Sequence, residues 1–96
     1  MSRFSNIVIV SKLKAYCTDV EIADEDKIVV PIHEYYNHDL IIERLGAMDE
    51  KDRTDGEEFI LTVLKLKKTA QDNKDRKMVS ICDSVIKRAI LGEGRC

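Results

Sequence analysis

Two imidazoles, two phenols, a carboxylate and an amide fall within His33-Glu34-Tyr35-Tyr36-Asn37-His38. A zinc-protease helix needs His at i and i+4, so that both ligands share one face. Here the two His are five positions apart, which on a helix separates them by about 140°. Pro31 just upstream places His33 at a helix start rather than inside one. No metal and no cofactor are expected here. The free amides of a helix N-terminus attract anions, so His33, Tyr35, Tyr36, Asn37 and His38 form a candidate small-ligand site. The plainer reading makes them a junction, with Tyr35 or Tyr36 packed on a sheet.

Other chemistries fail on spacing. The four Gly are isolated, and none opens a phosphate-binding loop of the GxGxxG or GxxxxGK kind. No Ser-His-Asp or Cys-His-Asp set can be proposed from linear order. Asp49, Asp55, Glu57 and Glu58 do not keep the ligand positions of a calcium loop, and Gly56 falls outside the required place. A solvated, charged linker is the better description of 49–56. The chain is therefore expected to be a non-catalytic protein.

Charge is more informative once divided. The net charge is -2 over 96 residues, but residues 1–64 carry -7 and residues 65–96 carry +5. Such asymmetry gives a polar molecule that can recruit a charged partner or fix the register of a dimer. The basic side is Lys65, Lys67, Lys68, Lys74, Arg76, Lys77, Lys87 and Arg88, which bracket the turn between two helices. Lys65, Lys68, Arg76, Lys77 and Arg88 are the interface residues expected there, with Asp49, Glu50, Asp52, Glu57 and Glu58 as the acidic counterparts. Clustered cations also suit nucleic-acid phosphates. Three features weigh against that alternative: the chain is mildly acidic, aromatics are not interleaved with the cations, and no helix-turn-helix pattern surrounds Asn73.

The elements that must position these groups divide into a β-like front and a helical remainder. Ile7-Val8-Ile9-Val10 is a β-branched run, and alternation continues from Ser11, so a strand is expected over 6–16. The competing reading is a helix over 5–17 capped by Ser5, disfavoured because its apolar residues would point all round the axis. A second strand is expected over 19–23 and a third over 27–32, with Pro31 at a strand end or edge. Three helices follow, over about 34–49, 56–70 and 74–91. The first carries Tyr36, Leu40, Ile41, Leu45 and Met48 at helical spacing. Thr54 and Glu57 form a capping box ahead of the second. Met78, Ile81, Cys82, Val85, Ile86, Ala89 and Ile90 make a stripe along the third, with Gly92 as its C-cap and 92–96 as a frayed tail.

The fold class expected is thus α+β: a small antiparallel sheet of two or three N-terminal strands, then three helices, in one domain of 96 residues and 11.0 kDa. Hydrophobic residues at 44% and charged residues at 35% exclude a disordered or collagen-like chain. Three widely spaced Cys make a poor disulfide scaffold, which fits a reducing, cytoplasmic setting. Cys82 is expected as a buried thiol and Cys96 as exposed. The N-terminal apolar run is too short for a signal peptide, and no stretch approaches a membrane span. The functional expectation is a small accessory protein, of cellular or viral origin, that binds another protein and associates with itself. A nucleic-acid-binding module and a helical dimer sequestering a small anion are the alternatives.

Overall fold

The computed structural model describes residues 6–18 and 20–93. In order, the elements are α1 (Asn6–Tyr16), β1 (Ile28–Pro31), α2 (Ile32–Tyr35), α3 (His38–Ala47), α4 (Asp55–Asp72), α5 (Arg76–Ala89) and β2 (Ile90–Glu93). Single 3-10 turns lie at Asp24–Asp26 and Glu50–Asp52. The fold is mostly helical, and its sheet is a parallel pair in which Ile28 lies opposite Ile90 and Val30 opposite Gly92. The antiparallel N-terminal sheet is therefore overturned.

Three separate causes lie behind that correction. First, residues 6–16 form a helix, not a strand. Ile9, Leu13 and Tyr16 are buried at a spacing of four and three, which is one helical face, while Ile7 and Val8 stay exposed. Tertiary packing overrides the β preference of the branched run. The Ser5 cap lies outside the described residues. Second, residues 20–23 form no strand; only Ile22 among them is buried, and Asp19 is outside the described residues. Third, the strand partner comes from the other end of the chain. The segment 90–93, expected as a helix end and tail, leaves α5 at Ala89 and pairs with β1. Gly92 is thus a strand residue rather than a helix cap. A Cβ there would lie 2.8 Å from Ile32 Cδ1 and 3.2 Å from the Tyr35 ring, so glycine lets β2 approach α2. Residues 94–96, including Cys96, lie outside the described residues.

The helix expected over 34–49 is divided into α2 and α3. Asn37 starts α3, its side chain accepting from the Asp39 amide at 3.2 Å. α4 begins as expected, with Thr54 Oγ1 accepting from the Glu57 amide at 3.1 Å and Glu57 accepting from the Thr54 amide at 2.9 Å. α4 is the central element, in contact with α1, α3, α5 and β1. Phe59, Ile60, Leu61, Val63 and Leu64 are all buried, so its apolar side chains cover about 200° of its circumference. α5 buries Ile81, Cys82, Val85, Ile86 and Ala89 against the same core. The wide apolar faces of these two helices are therefore used inside the chain. Exposed large apolar residues lie elsewhere, at Ile7, Val8, Val20, Val29, Tyr36 and Leu91.

Two polar networks lock the front of the chain to this core. Asp26, 1% exposed, accepts from Lys12 Nζ at 2.9 and 3.0 Å and from the Tyr16 hydroxyl at 2.6 Å. Lys12 Nζ also stands 5.3 Å above the Phe59 ring. Burial, with the Asp26 hydrogen bond second, raises the Tyr16 pKa, so the phenol is a durable donor. Arg88 then donates to the Tyr16 and Val20 carbonyl oxygens, tying α5 to the end of α1 and the segment after it.

Candidate functional site: a basic cleft between α4 and α5

α4 spans 18 residues, about 27 Å of helix. Its first turn carries the acidic region, and its last turn leads into the basic one. The two ends are built differently.

At the acidic end the buried and half-buried charges have partners within the chain. Glu58 is buried and lies 3.0 Å from Arg53 Nε. Arg53 also donates to the Leu45 carbonyl at 3.0 Å. Glu57 closes the capping box and lies 3.9 Å from Arg44. Arg44 Nε in turn donates to both oxygens of buried Glu34 at 3.0 Å. Gly56 packs directly on backbone: a Cβ there would stand 2.8 Å from the Glu25 carbonyl oxygen and 3.0 Å from that of Lys27. Asp49, Glu50 and Asp52 remain exposed around the 3-10 turn.

At the basic end an open cleft of about 550 Å³ lies between the last turns of α4 and the first turns of α5. Ala70 and Val79 give it an apolar floor, and Lys67, Gln71, Lys74, Arg76, Ser80 and Asp83 stand around it. Lys67 donates to Asp83 at 3.0 Å, and Lys87 reaches the same carboxylate at 3.1 Å. The Lys67 hydrogen bond holds the Asp83 pKa below the ordinary carboxylate value. Lys68 pairs with Asp39 at 2.7 Å and lowers its pKa in the same way. Lys65, Lys74, Arg76 and Lys77 are exposed and make no ion pair among the described residues.

The turn beneath the cleft has a defined geometry. The Asp75 amide donates to the Ala70 carbonyl at 2.8 Å and the Lys74 amide to that of Gln71 at 3.1 Å. These are the paired bonds of a Schellman C-cap. The residue in the left-handed position of that motif is Lys74, with φ of 58°. Glycine is the usual occupant, because an L side chain there crowds the backbone. Asp75 then caps α5, accepting from the Met78 amide at 3.2 Å. Lys74 and Arg76 are placed on either side of that cap.

The expected small-ligand cluster is not brought together. His33 is exposed in an open groove of about 400 Å³ with Glu34, Leu40 and Arg44. His38 lines a different groove, about 180 Å³, with Ile42, Leu64, Lys67, Lys68 and Gln71. Tyr35 and Tyr36 meet edge to face at 5.2 Å, and Asn37 is occupied as the α3 cap. Burial, followed by the nearby Lys67 charge, lowers the His38 pKa. The His38 groove shares Lys67 and Gln71 with the α4–α5 cleft. Among the described residues, no three or more His, Cys, Asp or Glu converge as a metal site. Cys82 is fully buried, and burial pushes its thiol up to about 11. Among the described residues no helix is long and apolar enough to cross a membrane.

Of the residues expected at an interface, Lys65, Lys68, Arg76 and Lys77 share the basic end, whereas Arg88 is held by backbone carbonyls on the side of α1. Glu58 is turned inward. Lys67 and Lys74, at the heart of the cleft, were visible in sequence as members of the basic cluster. The Lys74 conformation was not, since nothing in the order Asn73-Lys74 marks lysine for a position that asparagine tolerates better.

No protein-family profile matches the chain, and comparison with curated proteins and with solved structures finds no match.

Proposed function

We propose that this protein is a non-catalytic binding protein that engages an acidic surface of another protein through the basic end of α4 and α5. The carrying observation is the contrast in charge use along α4. The buried and half-buried charges at its N-terminal end are paired within the chain, while Lys74, Arg76 and Lys77 stand exposed without ion pairs among the described residues. Three like charges so close in the chain repel one another, and an acidic partner relieves that repulsion. Occupation of a surface, rather than turnover, is the mechanism. The exposed rim charges govern the rate of encounter and its salt dependence, and the cleft supplies the recessed contact.

The test is capture from an extract of the source organism, treated with nuclease, by the wild-type chain and by a Lys74→Gln, Arg76→Gln, Lys77→Gln variant. Loss of a specific co-purifying protein in the variant supports the reading. Retention of the same proteins, or capture that disappears with nuclease, contradicts it.

A further inference from the structure

The cleft has a more particular chemistry than a basic surface. Lys67 faces it already neutralised by Asp83. The remaining cations on its wall are Lys74 and Arg76, which make no ion pair among the described residues, the intervening Asp75 being engaged as the α5 cap. A phosphate monoester carries about -1.5 to -2 on one compact group at neutral pH. It therefore matches this pair in charge as well as in number. The guanidinium of Arg76 supplies a planar fork suited to two phosphate oxygens, and the Lys74 ammonium acts as a point charge. Ser80 and Gln71 add neutral hydrogen-bonding groups at the same wall.

A second observation concerns Lys74 alone. It occupies the left-handed position of the α4 cap, where glycine carries no steric penalty. A lysine there lowers stability relative to glycine, yet it sets a cation on the cleft wall between Asn73 and the Asp75 cap. Strain held at the edge of a cavity points to use of the side chain there.

On this basis, and resting on the protein-partner reading above, we propose that the α4–α5 cleft is a binding site for a phosphoryl group carried by the partner, of the phosphoserine class. The lining contains no aromatic side chain, so unpaired bases have no stacking platform at this site. That favours a phosphorylated protein segment over a nucleic acid.

The test is a titration of the full chain followed by amide chemical shifts. The probes are inorganic phosphate, a short acidic peptide with one phosphoserine, the same peptide with serine or glutamate there, and a short single-stranded RNA. The phosphopeptide is expected to give saturable shifts over residues 71–80 and to bind about tenfold tighter than the serine peptide. Inorganic phosphate is expected to shift the same amides more weakly. Lys74→Gly and Arg76→Gln are each expected to weaken phosphopeptide binding about tenfold. Lys74→Gly should also raise the melting temperature, so gain of stability and loss of affinity arise from one substitution. A stabilised Lys74→Gly variant with unchanged affinity would overturn the proposal. So would equal binding of the three peptides, although that result leaves the acidic-partner reading intact. Tighter binding of RNA than of phosphopeptide would overturn both.

Discussion

The two ends of α4 carry opposite charge and treat it in opposite ways. At the N-terminal end, Glu57 closes a capping box and Glu58 pairs with Arg53 in the interior. At the C-terminal end, a strained lysine and its basic neighbours surround an open cleft. The acids of the first turn suit the helix dipole, whereas the last turn carries no cation and ends on Asp72. The dipole therefore cannot explain why Glu57 and Glu58 are enclosed while Lys74 and Arg76 are left open. Charge that is enclosed in hydrogen bonds holds structure, whereas charge that is left at the rim of a cavity is available to a ligand.

That contrast can be broken most forcefully at the acidic end. Glu58→Ala leaves Arg53 without its buried partner and is expected to cost about 3 kcal/mol. The midpoint of urea unfolding should fall, with the slope unchanged. Gly56→Ala comes next, at about 1 to 3 kcal/mol, because the new methyl meets carbonyl oxygens rather than a movable side chain. Thr54→Ala removes one half of the capping box and should cost about 1 kcal/mol. The basic end should respond with the opposite sign. Lys74→Gly is expected to add about 0.5 to 1 kcal/mol, and Arg76→Gln to leave stability within about 0.5 kcal/mol. Comparable losses at both ends would end the distinction.

The smallest expected effect is the pH dependence beside the cleft. The folded-state pKa of His38 is lowered, by burial first and by Lys67 second. The unfolded chain then binds the proton more readily. The contribution is fully present above the ordinary His value of about 6.5 and is lost as pH falls through the lower folded value. The stability of His38→Gln should decline less on mild acidification than that of the wild type, as read by melting temperature across that range.

How much could be read in advance follows the same division. The α4 cap was legible, because Thr54 and Glu57 carry it in four residues of sequence. The stripes of α4 and α5 were legible from their spacing. Of the sheet only β1, inside the strand expected over 27–32, was legible, because the second strand is the four residues after α5 and its register is set by long-range contact with β1. The first helix was not legible, because Ile7 and Val8 advertise a strand, while the buried set Ile9, Leu13 and Tyr16 becomes evident only once α4 and α5 lie against it. At the site, the basic cluster was visible but its working geometry was not. A Schellman turn with lysine in the left-handed position depends on backbone angles that no composition rule assigns. The ligand cluster over 33–38 dispersed because Asn37 breaks the expected helix in two, sending His33 and His38 to different grooves.

The most direct measurement compares both ends in one binding experiment. The wild-type chain, a Lys74→Gln, Arg76→Gln, Lys77→Gln variant and an Asp49→Asn, Glu50→Gln, Asp52→Asn variant are titrated with the same phosphoserine peptide under matched salt. Affinity is expected to fall at least tenfold in the basic variant and to stay within about twofold in the acidic one. Equal affinity in all three chains would contradict the assignment of the basic end as the binding surface.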